Sequence, residues 1–219
     1  MRAFAWSGSV EPWKKVQAEL RARTVVAPLK PLPRFVAGAD CAFADDGRTI
    51  VAAAVVYDRE TKQIVEHQTI RRPCDVPYIS GYLSFREAPA ILDVIGQLKT
   101  AFGAILFDGQ GIAHPRRCGL ATHVGVTLDV PSVGVAKSRL IGTHAEPAAT
   151  AGSHVPLMDK GEQIGVVLRT RDNVNPLYVS VGHRIDLDSA IELVLASRTK
   201  FRLPEPTRMA DKLSKVKGV

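Results

Sequence analysis

Arg34-Phe-Val-Ala-Gly-Ala-Asp-Cys-Ala-Phe43 alternates along its whole length, with Phe35, Ala37, Ala39, Cys41 and Phe43 on one face and Val36, Gly38, Asp40 and Ala42 on the other. A side-chain period of two predicts a strand. Asp45-Asp46-Gly47 then reads as a turn, Thr49–Tyr57 as a second strand, Asp58–Lys62 as another turn and Gln63–Ile70 as a third strand. The segment is an antiparallel meander.

Beyond it the period changes. Phe85–Phe102 places Ile91, Ile95, Leu98 and Phe102 on one helical stripe, Ala104–Phe107 reads as a short buried strand, Pro115–Thr127 as a helix and Ser132–Ala136 as a strand. Glu162–Arg169 and Leu177–Val181 predict two further strands, Asp188–Ser197 a helix and Pro206–Val216 a basic terminal helix, while nothing regular is legible between Arg139 and Lys160. Upstream, Pro12 opens a short amphipathic helix carrying Trp13, Val16 and Leu20 to about Arg23, before Pro28, Pro31 and Pro33 break the chain. A meander followed by alternating helices and strands predicts an α/β fold, a mixed sheet flanked by helices, and its order matches the ribonuclease H-like layout.

The chain has 219 residues, a length that suits one domain over 1–219 at ~150 residues per domain. Composition is ordinary for a globular protein, 46% hydrophobic and 23% charged, which excludes disordered and collagen-like classes. Cys41, Cys74 and Cys118 are odd in number and widely spaced, which fits reduced thiols in a cytoplasmic protein rather than a zinc site or disulfide framework. The first fifteen residues hold no apolar leader core, and the longest apolar run, Ile50–Tyr57, is far short of the ~20 residues that span a bilayer, so no membrane partner is expected. The net charge is +7, and Arg198–Val219 carries seven Lys or Arg against Glu205 and Asp211, so the tail holds +5 of it. A polyanion is a natural partner for such a tail, and a solvated helical tail is the alternative.

Four carboxylates could carry chemistry. Asp108 closes the strand Ala104–Phe107 and precedes Gly109-Gln110-Gly111, at the carboxyl end of a strand where open α/β sheets place their sites; an Asp beginning a glycine-rich turn is the other reading. Asp40 sits among small and apolar neighbours, where it requires a hydrogen-bond partner, a cation or a proton. Glu87 ends Ser84-Phe85-Arg86-Glu87, a textual capping box, yet it also shares the inward stripe with Ile91, Val94 and Ile95. Asp211 lies among Arg208, Lys212 and Lys215, where ion pairing accounts for it. Brought together, such groups repel unless divalent cations sit between them, and all-oxygen ligation suits Mg²⁺ or Mn²⁺ in phosphodiester chemistry. His114 and Lys137, each just beyond a strand, could serve as acid, base or phosphate clamp. Pro77-Tyr78-Ile79-Ser80-Gly81 is either a packed turn or a wedge that unstacks bases.

At these residues the chain resembles the endonuclease V family, deoxyinosine 3′-endonucleases, over nearly its full length. The motifs are Val36-Ala-Gly-Ala-Asp40, Pro77-Tyr-Ile79, Gly81-Tyr-Leu-Ser-Phe-Arg-Glu87, Phe107-Asp-Gly-Gln-Gly111 with Ala113-His-Pro115, Gly134-Val-Ala-Lys-Ser-Arg-Leu140, Val179-Ser180 with Gly182-His183, and Leu203-Pro-Glu-Pro-Thr-Arg208. The resemblance implies a ribonuclease H-like fold that binds Mg²⁺, with Mn²⁺ as a substitute, through Asp40, Glu87 and Asp108, with a further contribution from Asp211. It implies cleavage one nucleotide 3′ to the deaminated base, a wedge at Tyr78 with Pro77 and Ile79, and a flipped-base pocket at Gly81, Leu83, Gly109, Gly111 and Leu140. Lys137 matches a basic residue near the scissile phosphate and His114 one in the active-site loop. The wedge departs from many relatives in carrying Ser80 where they have proline.

The expected protein is a monomeric DNA repair endonuclease acting on inosine in duplex or single-stranded DNA. An inosine-specific endoribonuclease with the same metal site is the alternative enzyme, and a lesion-binding module without cleavage is the non-enzymatic one.

Overall fold

The structure, a computed structural model, describes residues 6–215. Eight strands form one sheet in the order β3-β2-β1-β4-β5-β8-β7-β6. The meander is β1 (Phe35–Ala44), β2 (Thr49–Asp58) and β3 (Gln63–Pro73), antiparallel throughout. β4 (Ala104–Phe107) and β5 (Ser132–Ala136) then join in parallel to β1 and to each other. β6 (His154–Asp159), β7 (Glu162–Leu168) and β8 (Leu177–His183) complete the sheet antiparallel. Helices α1 (Glu11–Ala22), α2 (Leu83–Ile95), α3 (Leu120–Leu128), α4 (Leu187–Ala196) and α5 (Glu205–Ser214) flank it.

Two apolar cores follow from the alternation in the strands. Ala37, Ala39, Ala52, Ala54, Ile105 and Phe107 meet α2 and α3 on one face, where Ala88, Ile91, Val94 and Val124 complete the packing. Val36, Leu106, Val133, Val135 and Val179 face the other way, with Ile191 and Val194 of α4. Small residues let the layers close: a Cβ on Gly38 would lie 2.4 Å from the Pro206 carbonyl carbon. Glycine there allows the first turn of α5 to rest directly on β1.

Three elements depart from the sequence reading. The helix read over Phe85–Phe102 ends at Ile95, with Gly96 as its C-cap; glycine is a poor helix former, yet Leu98 and Phe102 still pack on the same core from the irregular segment that follows. The helix read from Pro115 begins at Leu120, because Arg117 takes a positive φ of 55° that no helix accepts and Gly119 is the N-cap. β6 has no clear sequence signal because it is an edge strand containing Pro156, paired to β7 with a register shift between Leu157 and Met158 and otherwise met, among the described residues, only by an isolated bridge from Thr143 to Met158. The other predicted elements form, within a few residues at their ends, and the expected helix end at Val216 lies outside the described residues. Among the described residues no helix is long and apolar enough to cross a membrane.

Candidate active site

The parallel register of β1 and β4 pairs Ala39 with Phe107, so the next residues, Asp40 and Asp108, emerge side by side. The seat of α5 over Gly38 brings Asp211 to the same place. One carboxylate oxygen from each of Asp40, Asp108 and Asp211 lies within 4.8 Å of the others. Glu87 stands on α2 with a relative exposure of 9% and feels the Asp40 and Asp108 charges, but the cluster of close oxygens is formed by the three aspartates without it.

Charge crowding shows in the acidities. Burial, then the negative charges of Asp108 and Asp211, push Asp40 up to about 7. Glu87 is pushed up to about 8 by burial and by the Asp40 and Asp108 charges. Burial and the Glu87 charge also drive the neighbouring Cys41 thiol well above its usual range. Asp211 goes the other way: burial opposes ionisation, but hydrogen bonds from Lys137 and Lys215 hold it below the ordinary carboxylate value. The Lys137 ammonium contacts Asp108 Oδ2 and lies 2.7 Å from Asp211 Oδ1. This oxygen-rich, under-neutralised set fits a hard divalent cation, which would supply the charge that now has to come from protons or lysine.

The capping box does not form. The α2 N-cap is Tyr82, without a side-chain cap bond, and Ser84 lies inside the helix with its Oγ 2.9 Å from His123 Nδ1. Glu87 is therefore free of the capping role, and it stands near enough to Asp40 and Asp108 for their charges to add to burial in raising its pKa.

Beside the carboxylates opens a cavity of about 340 Å³ lined by Tyr78, Gly81, Leu83, Gly109 and Leu140 together with Asp108, His114 and Lys137. Its rim is open to solvent: Leu83 and Leu140 are exposed, and Tyr78 is 66% exposed. Ile79 turns inward instead, onto the Trp13, Tyr82 and Phe85 cluster, and Pro77 is exposed. The Tyr82 N–H donates to the Ile79 carbonyl (2.9 Å), and Gly81 has φ +78°, the conformation a type II turn demands of its third residue.

Residues 18–212 match the Endonuclease V sequence profile. The Endonuclease V of Nostoc punctiforme is 46% identical over 217 residues, covering 99% of this chain and 98% of that protein.

The chain belongs to the endonuclease V family.

Solved structures agree. The Endonuclease V of Streptomyces avermitilis superimposes with a TM-score of 0.91 at 42% identity, covering 96% of this chain and 93% of that one. The Ciona intestinalis Endonuclease V, in complex with a 24-mer DNA containing an inosine followed by a ribo-adenosine, gives 0.80 at 28% identity over 94% and 95% of the two chains. The fold is thus the ribonuclease H-like fold of endonuclease V.

Two positions differ from their expected places. Gly111 is not in the cavity lining: it is buried against β8, where a Cβ would lie 2.0 Å from the Val181 carbonyl oxygen, and its N–H donates to Ser180 Oγ (2.8 Å). It is a close-packing glycine. His114 touches the cavity, but both its ring nitrogens are taken by backbone, Nε2 donating to the Gly81 carbonyl (3.0 Å) and Nδ1 accepting from the Arg116 N–H (3.2 Å). Burial, then the Arg116 charge, lowers its pKa to about 4, so the neutral ring ties the Gly81 and Arg116 backbone together.

Sequence reasoning missed three supporting residues. Arg202 Nη2 donates to the Lys137 carbonyl (3.0 Å) and the Pro176 carbonyl (2.7 Å), fixing the segment that carries Lys137. Gln17 and Arg116 both donate to the Gly81 carbonyl. These contacts join distant parts of the chain, and no local pattern announces them.

Proposed function

We propose that this endonuclease V recognises deoxyinosine, deaminated adenine, in DNA and hydrolyses the phosphodiester one nucleotide 3′ to the lesion, leaving 3′-hydroxyl and 5′-phosphate ends. The observation that carries the reading is the adjoining of the carboxylate cluster and a base-sized cavity with an exposed tyrosine at its mouth. At about 340 Å³ the cavity falls in the range of small-molecule sites, roughly 300–1,000 Å³. The complex of the Ciona relative with inosine-containing DNA supports the choice of base.

Asp40, Asp108 and Glu87 would hold a divalent cation, Mg²⁺ with Mn²⁺ as a substitute, and Asp211 would add a fourth carboxylate. When bound, the cation supplies Lewis acidity at the phosphate and a more acidic water. Lys137, poised over Asp108 and Asp211, places its positive charge where the scissile phosphate must lie. Tyr78 offers an aromatic face to the gap that the extruded base leaves, with Pro77 and Ile79 setting the turn from which it projects. Gly81 and Gly109 let backbone approach the flipped base, and Leu83 and Leu140 sandwich it. The basic surface, including Lys212 and Lys215 on and after α5, engages phosphates without regard to sequence.

Cleavage of matched DNA and RNA oligonucleotides, each carrying a single inosine, tests this reading when product ends are mapped. Cuts one nucleotide 3′ to deoxyinosine support it. Cleavage restricted to RNA would make the protein an inosine-specific endoribonuclease.

A further inference from the structure

The Gly81 carbonyl oxygen receives three side chains: His114 Nε2 (3.0 Å), Arg116 Nη2 and Gln17 Nε2 (3.1 Å). A carbonyl oxygen has two lone pairs and is satisfied by one donor, so three converging donors exceed what burial requires. Gln17 is itself fully buried, on the apolar face of α1 between Trp13 and Leu20. A polar side chain there is tolerated only when bonded, and two of its three bonds serve this turn: besides the bond to Gly81, Oε1 accepts from Arg116 Nε, while Nε2 also reaches the Cys118 carbonyl (3.2 Å). Arg116 in turn stacks over the Tyr82 ring, 4.0 Å from its centroid. Glycine suits the position because φ is +78°, a conformation that L side chains rarely adopt.

Gly81 is the foot of the turn that carries Tyr78. Within Pro77–Ser80, Pro77, Tyr78 and Ser80 are exposed, and Ile79 makes the inward contact. Ser80 occupies the second position of the type II turn, where proline would have preset the backbone. The turn is therefore held from below, at Gly81, rather than stiffened from within.

We propose that Gln17 and Arg116 are positioning residues, a buried latch on the Gly81 carbonyl that holds the Tyr78 turn rigid enough to open duplex DNA. The proposal rests on the wedge reading of Tyr78 given above. The latch acts through the turn and makes no hydrogen bond to the carboxylate cluster, so its loss weakens work on duplexes more than on single strands, where little pairing opposes extrusion.

The test compares cleavage rates on one inosine sequence, as duplex and as single strand, for Tyr78→Ala, Gln17→Met, Arg116→Met and Arg116→Met with Ser80→Pro. A 2-aminopurine beside the inosine reports unstacking by its fluorescence. Displacing a positioning element costs on the order of 10- to 100-fold, and each single variant is expected to lower the duplex to single-strand ratio by about that factor, with a matching loss of 2-aminopurine signal on the duplex. Ser80→Pro should recover a large part of the Arg116→Met loss by stiffening the turn directly. Arg116 is half-buried, so its variant carries the test if the Gln17 variant does not fold. A ratio moved by Tyr78→Ala but not by the latch variants, or a latch loss equal on both substrates and not recovered by Ser80→Pro, overturns the latch alone. A ratio unmoved by Tyr78→Ala removes the wedge reading and the latch with it.

Discussion

The Lys137 ammonium stands 2.7 Å from Asp211 Oδ1 while also touching Asp108, so one side chain leaving β5 ties together carboxylates from β4 and α5. Lys215 Nζ shares the same Asp211 oxygen at 2.7 Å. Lysine thus supplies part of the charge that a divalent cation would supply, and the two compete for the same oxygens.

Replacing Lys137 with methionine separates its two tasks. Without the competing ammonium the Mg²⁺ titration of cleavage should reach half-maximum at lower concentration. The rate at saturating Mg²⁺ should nevertheless fall by about 10²–10³-fold, the usual cost of losing a preorganised electrostatic contact to the transition state. A midpoint that moves to higher Mg²⁺ would contradict the competition.

Asp40 and Glu87 give the metal-free protein a distinctive pH dependence. Both carboxyls titrate near 4 in an unfolded chain, whereas folding raises them to about 7 and about 8 through burial and mutual repulsion. Between those limits the folded state binds more protons, so stability falls as pH rises and the penalty is complete above the folded values. His114 and His123 act in the opposite sense, since burial lowers both to about 4 and their contribution is lost as pH falls from ~6.5. The carboxylate effect is therefore read from pH ~6.5 to ~7.5, above the histidine window and below the pH at which the Cys41 and Cys118 thiols, raised by burial, add a decline of the same sign. The metal-free melting temperature should decline across that range, and Mg²⁺ should raise it more at the upper end than at the lower.

Glu87→Gln tests the same balance at one residue. An amide of the same shape removes a buried charge, so the metal-free variant should melt higher than the natural protein at pH ~8.5. On the proposed metal role of Glu87, cleavage should drop by about 10²-fold or more. A variant that cleaves at the natural rate would return Glu87 to a packing role.

Tyr78 is 66% exposed, so truncation to alanine should scarcely change the melting temperature. Base–aromatic stacking contributes roughly 1–3 kcal/mol, which corresponds to a loss of roughly 5- to 150-fold in duplex lesion binding. Single-stranded inosine substrates should lose less. Equal losses on both substrates accompanied by a large drop in melting temperature would identify a core side chain.

The sequence carried the meander, the central parallel strands and the conflict at Asp40, because alternation and an awkward charge are local signals. Glu87 was legible as an inward residue from its place on the stripe with Ile91 and Val94, though only the fold decides against the capping box by placing Ser84 inside α2. Asp211 was visible through resemblance alone, since its meeting with Asp40 depends on α5 settling over Gly38. The tie through Gln17 and Arg116 was not visible at all: it joins residues 64 and 35 positions from Gly81, and nothing near either one marks it. Gly111 misled because the run Gly109-Gln110-Gly111 holds one glycine for the cavity and one for packing against Val181.

The central claim is that the carboxylate cluster performs metal-assisted hydrolysis of an inosine-containing strand, and Asp108→Ala tests it most directly. Nicking of an inosine-containing duplex in Mg²⁺ and binding of the same duplex should be measured on one preparation. Cavity, wedge turn and basic surface are intact in this variant, so binding should stay within about tenfold of the natural protein while nicking falls by about 10³-fold or more. Nicking near the natural rate with binding unchanged would contradict the account.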